Sequence, residues 1–530
     1  MKRVFVFFIC FGTLIFWSSC RNDFEFSPST GNLEFERDTV YLDTVFTNIG
    51  SSTYNLKVYN RSNEDIVIPN IQLENGVNSF YRMNVDGGTG SDAVIGTPQE
   101  GKFFEDVELL AKDSLFIFIE TTIDIETLSN TDTQFLYTDR ILFDSGNNQQ
   151  EVELVTLVKD AVFIFPSRDP NTEIIETLTF DVDGDGNPNE TNLQGRFLQN
   201  DELTFTNEKP YVIYGYAGVG NGQTLTMEAG TRVNFHSESG IIVTQGGSLN
   251  INGGLSPNQD TLENEVILEG DRLEPLFEDV PGQWGTIWLF PGSLNNSIEY
   301  ATIKNATIGV LAEGGRDDMD DKLRIENTKI YNSSAFGILG RATSITAENV
   351  IINNSGQSSF AGTVGGKYNF THCTIANYWN NSFRQFPSLL LNDFLTDENG
   401  LPVNNTSTDL IEANFTNCII YGNDNPEFLL ESISDNFNFK FTNCLLRFDN
   451  DDLEGTTNYQ FDDIALYENN SFNTDPEFED PFENLMRIGE NSGANSIAVP
   501  LTPSGFDILN VQRDAVTPDA GAYESTSIED

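Results

Sequence analysis

The chain has little of what most catalytic and nucleic-acid-binding proteins use. Among 530 residues there are two histidines, His236 and His372, and five cysteines. No zinc-ligand spacing, P-loop or nucleophile elbow occurs. Positive charge is scarce: 28 Lys and Arg face 81 Asp and Glu, a net charge of −53. A field of that sign repels nucleic acid, anionic lipid headgroups and bare polyuronates. It admits neutral glycans, basic partners and divalent cations. Its simplest role is to keep an exported surface solvated. Beyond the N-terminus no long apolar run appears, so no span is expected there.

What is present is a repeat. Asn327-Thr328-Lys329-Ile330, Asn349-Val350-Ile351-Ile352, His372-Cys373-Thr374-Ile375, Asn417-Cys418-Ile419-Ile420 and Asn443-Cys444-Leu445-Leu446 are one phrase written five times. The anchors lie 22, 23, 45 and 26 residues apart, and 45 is close to two repeats. A period near two dozen residues means stacked coils. The coils are rich in Ile, Val, Phe, Thr and Asn, which favours strands over helices. An Asn at a bend followed by apolar residues fits a parallel β-helix. There it occupies a tight turn and bonds its copy one coil away, about 4.8 Å off. Asn327, Asn349, His372, Asn417 and Asn443 are therefore expected in one column. The stretch from Tyr378 to Leu395 is expected to supply most of a missing coil.

Cys373, Cys418 and Cys444 follow these anchors and share strand parity with Ile375, Ile420 and Leu446. That reads as an inward column of small apolar groups rather than a metal or redox cluster. An exported setting permits a Cys418–Cys444 disulfide, but nothing in the sequence demands it.

The N-terminus runs Lys2-Arg3, an apolar stretch from Val4 to Trp17, then Ser18-Ser19-Cys20, the order of a secretory signal. It resembles a bacterial lipoprotein signal, with Trp17 and Ser19 departing from the commonest residues. The resemblance implies removal of residues 1–19 and lipidation of Cys20. It also implies anchoring in the outer membrane, at the cell surface or facing the periplasm. Residues 20–31 read as a polar tether.

From 32 to 161 alternating strands separated by Gly, Asn and Asp turns predict a β-sandwich. The stretch Asp43-Thr44-Val45-Phe46-Thr47-Asn48-Ile49-Gly50-Ser51, with Leu56-Lys57-Val58-Tyr59-Asn60, resembles the immunoglobulin-like modules of Bacteroidota surface lipoproteins. Those are related in pattern to domains of cilia and centrosome proteins. Residues 162–200 read as a linker holding one sharp motif, from Asp181 to Glu190. Asp181, Asp183 and Asp185 supply carboxylates, Asn187 and Asn189 supply amide oxygens, and Gly186 sits where the loop must turn sharply. The motif resembles the DxDxDG calcium loops. Asn192 replaces the usual closing Glu, so a full EF-hand is not implied. The expected role is calcium binding that stiffens the joint between domains.

From 201 to 525 the chain resembles the bacterial right-handed parallel β-helix. The opening strands Thr224–Phe235, Gly240–Val243 and Gly247–Gly253 carry the likeness. So do the closing segments Asp475-Pro476-Glu477-Phe478 and Asp519-Ala520-Gly521-Ala522-Tyr523-Glu524. The whole is similar to flavobacterial β-helix lipoproteins. The expected fold is all-β, an N-terminal immunoglobulin-like sandwich followed by a β-helix. That β-helix family includes polysaccharide lyases, glycoside hydrolases and adhesive proteins. No base beside paired carboxylates recurs at matching coil positions, so no catalytic residue is assigned. Asp317, Asp318, Asp320 and Asp321 read as a solvated loop tip. Trp284 and Trp288 share strand parity opposite Ile287 and Leu289. With the aliphatic face inward, both indoles, and Trp379 in the later insert, are candidates for stacking on sugar rings. The expected function is a rigid binding or scaffold module for glycans or envelope proteins. The alternatives are a β-helix polysaccharide lyase or glycoside hydrolase, and a structural subunit of an outer-membrane complex.

The lipoprotein reading has a direct test. Cys20→Ala should move the protein from membrane to soluble fractions while leaving circular dichroism unchanged, because Cys20 precedes both domains. A variant that stays membrane-bound removes the reading.

Overall fold

The computed structural model describes residues 26–91, 96–128, 134–315, 321–396, 401–403, 406–502 and 505–528. Cys20 and the loop residues Asp317, Asp318 and Asp320 lie outside these. The chain divides into two compact units, Met1–Asp160 and Ala161–Asp530.

The first unit is a two-sheet sandwich. One sheet holds six strands, including Thr39–Phe46, Ile66–Leu73, Gln134–Phe143 and Gln150–Lys159; the other holds four, including Tyr54–Tyr59 and Ser114–Thr121. Alternation places the sides. In Ser114–Thr121, Leu115, Ile117 and Ile119 are buried while Phe116 and Phe118 are exposed. The Tyr81 hydroxyl, deep in the core, is satisfied by the Thr156 hydroxyl and the Tyr137 carbonyl, as a buried donor must be.

The second unit is a parallel β-helix. Its strands form an eleven-stranded sheet, called here the first ladder, and an eighteen-stranded sheet that holds the second and third ladders. One coil shows the plan. Lys329–Ser333 belongs to the first ladder, and Phe336–Glu348 bends at Ala342 and serves both others. Successive coils pair in parallel, Ile330 with Ile352 and Ile345 with Tyr368. The first ladder begins with Val162–Ile164, which pairs with Tyr211–Ile213. Residues 162–200 are therefore not a linker. They form this strand and a hairpin of Thr177–Phe180 with Asn189–Phe197. Three apolar residues in isolation look like any short run; only a pairing partner makes them a ladder strand.

The bend between the third and first ladders is a left-handed residue in every late coil: Tyr300, Asn327, Asn349, His372, Asn417, Asn443 and Asn469, with φ from 47° to 57°. Asn tolerates that conformation better than most residues. The Asn349 amide donates to Asn327 Oδ1 at 3.1 Å, and Asn417 Nδ2 lies 2.9 Å from His372 Nε2. His372 and Asn417 are thus one coil apart although 45 residues separate them. Among the described residues no extra coil lies between them. Ile375 pairs directly with Ile420, and Leu389–Asn392 is that coil's second-ladder strand. The described surplus residues lie outside the ladders, on either side of it. One loop is clamped by a buried pair, Arg384 bidentate on Glu427 at 2.8 and 2.6 Å. A second column follows five residues behind the first. Asn305, Asn332 and Asn354 also have positive φ, and the Asn354 amide donates to Asn332 Oδ1 at 2.6 Å.

Inside the coils, Cys373, Cys418 and Cys444 are buried free thiols beside Ile375, Ile420 and Leu446. Phe370, Phe415, Phe441 and Tyr467 stack through the last coils with centroids 5.1 to 5.5 Å apart. Phe428, Phe448, Tyr459 and Phe461 join this core at the C-terminal end. The coils end at Phe472. The segment that follows does not coil; it folds back over the outer face of the first ladder. Met486, Ile488, Ala520 and Ala522 cover Ile351, Ala376, Ile419 and Leu445. Gly521 (φ +93°) is required there, since a Cβ would meet Ile419 Cδ1 at 2.6 Å. Buried Arg513 joins Asn349 Oδ1, at 2.9 Å, to Glu524, at 3.0 Å. Asn417 and Asn443 donate to the Val499 and Ile497 carbonyls.

His372 sits under this segment. Burial, with the Arg513 charge near it, lowers its pKa to about 3 from 6.5. A depressed pKa in the folded state means that only the unfolded chain takes up the proton between those values. The contribution is complete above pH 6.5 and is lost as pH falls toward 3, with a slope of at most about 1.4 kcal/mol per pH unit. His372→Asn, which restores the ladder residue, should flatten this part of the pH dependence in urea unfolding. An equal slope in both proteins rules out His372 as its source.

Candidate functional site

The closing segment covers the later coils of the first ladder, and the outward columns of the second and third ladders remain to be described. On the second ladder, register builds an outward apolar column. Ile242, Trp288, Leu311, Leu339, Ala361, Leu390 and Leu429 are successive partners. Two positions on in each strand runs a polar column, Glu313, Arg341, Thr363, Asn392 and Glu431. Its first two members interlock with Trp288. The Trp288 indole donates to Glu313 Oε2 at 2.7 Å, and Arg341 pairs with Glu313 Oε1 at 3.2 Å. At the far end, desolvation raises the Glu431 pKa. Phe386 and Phe336 pack against the apolar column, while Phe383 and Leu276, on loops leading into this ladder, are 90% and 87% exposed.

Two of the three tryptophans expected outside are not there. Trp284 is 1% exposed, stacks on Phe235 at 4.2 Å and donates to the Lys304 carbonyl at 2.9 Å. Alternation breaks between Trp284 and Ile287, beside a bulge at which Gly309 of the next coil is left unpaired: Thr286 faces Ile308 and Ile287 faces Val310. Trp284 and Ile287 both point inward, and Trp288 alone keeps the outward direction. Trp379 is also buried, its indole donating to Ser382 Oγ at 3.0 Å.

The hairpin Thr177–Phe180/Asn189–Phe197 lies over the start of the second ladder. Leu178 and Phe180 pack on Ile242 and Phe290. Gly218 allows this, because a Cβ would meet Phe197 Cδ1 at 2.9 Å and Leu178 Cδ2 at 3.0 Å. The acidic loop is the tip of this hairpin and not a joint between domains. Asp181, Asp183 and Asp185 bring one carboxylate oxygen each within 4.8 Å of one another. Asp181 accepts from the Gly184 and Gly186 amides at 2.7 and 2.9 Å. Asn187 and Asn189 are turned to bonds inside the loop, with Asp185 Oδ1 and the Val182 amide. Beside the tip is a hollow of about 630 Å³ lined by Phe180, Asp181, Phe197, Asn221, Thr244 and Gln245, among others.

The other histidine, His236, lies on the surface of an early coil. Its Nδ1 is 2.8 Å from Asp271 Oδ2 and its ring stacks on Tyr214 at 4.4 Å. The Asp271 bond raises its pKa. The polar column of the second ladder escaped sequence reading. Its signal was present in Leu311-Ala312-Glu313, Leu339-Gly340-Arg341, Leu390-Leu391-Asn392 and Leu429-Leu430-Glu431, but spacings of 28, 51 and 39 residues hid it.

No family model and no curated protein matches this chain. Among solved structures it is similar to a PapD-like domain of human CEP192 at 12% identity, over 27% of this chain and 94% of that one, with a TM-score of 0.15. It is similar to a family 123 glycoside hydrolase from Clostridium perfringens at 12% identity, over 24% and 26%, with a TM-score of 0.15. It is also similar to the catalytic unit of a thermostable GH87 alpha-1,3-glucanase from Streptomyces thermodiastaticus at 12% identity, over 74% and 78%, with a TM-score of 0.22. Scores this low carry no argument about activity.

The two tryptophans of one strand should separate cleanly on mutation. Trp284→Ala should cost about 3–5 kcal/mol of stability, as for large core truncations. Trp288→Ala should cost about 1 kcal/mol, the scale of a single hydrogen bond. Equal losses in denaturant melts would contradict the bulge.

Proposed function

We propose that this chain is a cell-envelope lipoprotein, held in the outer membrane through Cys20, that works as a rigid binding module. The observation that supports this most is the outer face of the second ladder. Its apolar and polar columns run side by side through successive coils, and Trp288 is fixed within them by Glu313. An extended glycan fits along the polar column, its hydroxyls toward Glu313, Arg341 and Thr363 and one ring face on the half-buried Trp288, while most of the rest of the apolar column is buried and holds these groups in place. Binding is favoured over hydrolysis by distance. Glu313 and Glu431 stand four coils apart, about 19 Å at about 4.8 Å per coil. Two-carboxylate glycoside hydrolysis uses a pair within about 10 Å. Glu313 is moreover held by Arg341. A second reading, a structural subunit of an envelope complex, is favoured by the exposure of Phe383 and Leu276.

The hairpin tip is assigned a calcium ion. Its three converging carboxylates and the Asp181–Gly186 amide bond fit an oxygen-ligand loop. The ion would relieve repulsion among Asp181, Asp183 and Asp185 and hold the tip firm beside the hollow.

A glycan array read together with a product assay on polysaccharide pools tests the reading, with and without calcium. Wild type should bind without forming product, and Trp288→Ala or Arg341→Ala should weaken binding about tenfold, near 1.4 kcal/mol. Calorimetry should give calcium heat that Asp183→Ala removes. Product formed at an enzyme-like rate overturns the binding reading in favour of a lyase or hydrolase. A blank array with stable capture of an envelope protein favours the structural subunit.

A further inference from the structure

The third ladder carries an outward face of different chemistry. One of its columns reads Glu299, Glu326, Glu348, Thr371, Thr416, Thr442, Glu468 in successive partners. The column beside it reads Ser297, Arg324, Thr346, Asn369, Asn414, Lys440. In the last coils a patch of hydroxyls and amides is thus bounded by glutamates at both ends. In a chain of net charge −53, this is an island of mostly uncharged side chains, flanked by Glu412, whose carboxylate accepts from the Asn414 amide.

The island is built rigidly. The strands Asn369-Phe370-Thr371, Asn414-Phe415-Thr416 and Lys440-Phe441-Thr442 send their phenylalanines inward, where they stack at 5.3 and 5.1 Å. That packing holds the outward residues at the coil spacing. Threonine is restricted at χ1, so few positions are open to its hydroxyl oxygen once the backbone is set. The Asn414 amide donates to Asn369 Oδ1 at 3.1 Å, which sets the orientation of both groups. Lys440 is tied to Glu468 at 2.6 Å and adds no free charge. The Thr371, Thr416 and Thr442 hydroxyls have no hydrogen-bond partner among the described residues. With Asn369, Asn414 and Lys440 they line a shallow hollow of about 280 Å³.

We infer that this island is a second binding site, which takes a short stretch of neutral, hydroxyl-rich glycan lying along the axis. Each Thr hydroxyl both donates and accepts, which matches a polyol better than any charged ligand. Three hydroxyls over two coil steps span about 10 Å, the reach of two or three sugar units. The glutamates at either end reject uronates and sulfated chains by like-charge repulsion. No aromatic side chain faces outward on these three strands, so recognition here is by hydrogen bonds. The site shares no residue with the second ladder and is tested separately from it.

The experiment is affinity electrophoresis of the full chain in gels holding laminarin, glucomannan or galactomannan, with alginate as the anionic control. Wild type should be retarded by at least one neutral polymer and not by alginate. The triple variant Thr371→Val/Thr416→Val/Thr442→Val keeps shape and branching, removes only hydroxyls, and should weaken that retardation at least tenfold. Asn414→Asp, which adds a charge, should do the same by another route. Retardation lost with Trp288→Ala but kept in the triple variant assigns binding to the second ladder and overturns this site. Wild type unretarded by every neutral polymer, or held more tightly by alginate, overturns it as well.

Discussion

Everything in the second unit depends on coils stacking in register at one spacing. Each coil is too short to bury its own apolar residues, so it is stable only against its neighbours. Register is what turns a residue position into a column: isoleucines and thiols inside, asparagines at the bend, threonines or glutamates outside. Because side chains alternate along a strand, a slip of one residue would exchange the inner and outer columns. The left-handed bend residues guard against that slip. An Asn in this conformation closes the turn with little strain, and in two coil pairs its amide reaches the residue below.

A stack of this kind leaves two problems, the open end and the apolar outer positions. The C-terminal end is filled by aromatic residues around Phe428, Phe448 and Tyr459, which joins the last coil to the core. The outer face of the first ladder carries Ile351, Ile419 and Leu445, and the closing segment covers them. Buried Arg513 and Gly521 hold that segment down through polar bonds and close contact. The hairpin treats the start of the second ladder in the same way. Along the rest of the second ladder Leu311, Leu339, Ala361 and Leu390 are buried against Trp288, Phe336 and Phe386, which leaves the polar column beside them and the third ladder to face solvent. The repeat makes these surfaces long and rigid without any loop having to be ordered first.

Departures from the simple pattern fall where something interrupts the register. Beside the bulge at Gly309 the strand Trp284–Leu289 breaks its alternation, and Trp284 lies in the core although strict alternation sends it outward. The 45-residue coil looks like two because loops add length without adding a turn. The three apolar residues Val162–Ile164 read as linker until Tyr211–Ile213 lies beside them. The second asparagine column was legible five residues behind the first, but an Asn without a following apolar phrase looks like any turn residue. The polar column from Glu313 to Glu431 joins residues whose spacing changes with every loop between them.

The sequence by itself determined the fold class, the coil period, the tight turn at Asn327, Asn349, His372, Asn417 and Asn443, and the inward cysteines. These follow from local chemistry, backbone preference and side-chain parity, repeated often enough to be read. It also placed Asp181, Asp183 and Asp185 in one loop, since that geometry lies within a dozen residues. Tertiary structure decided which faces stay open, which tryptophan points outward, and which residues of distant strands become neighbours. The physical reason is that a column is a property of register, and register is fixed by packing between coils rather than by any one strand.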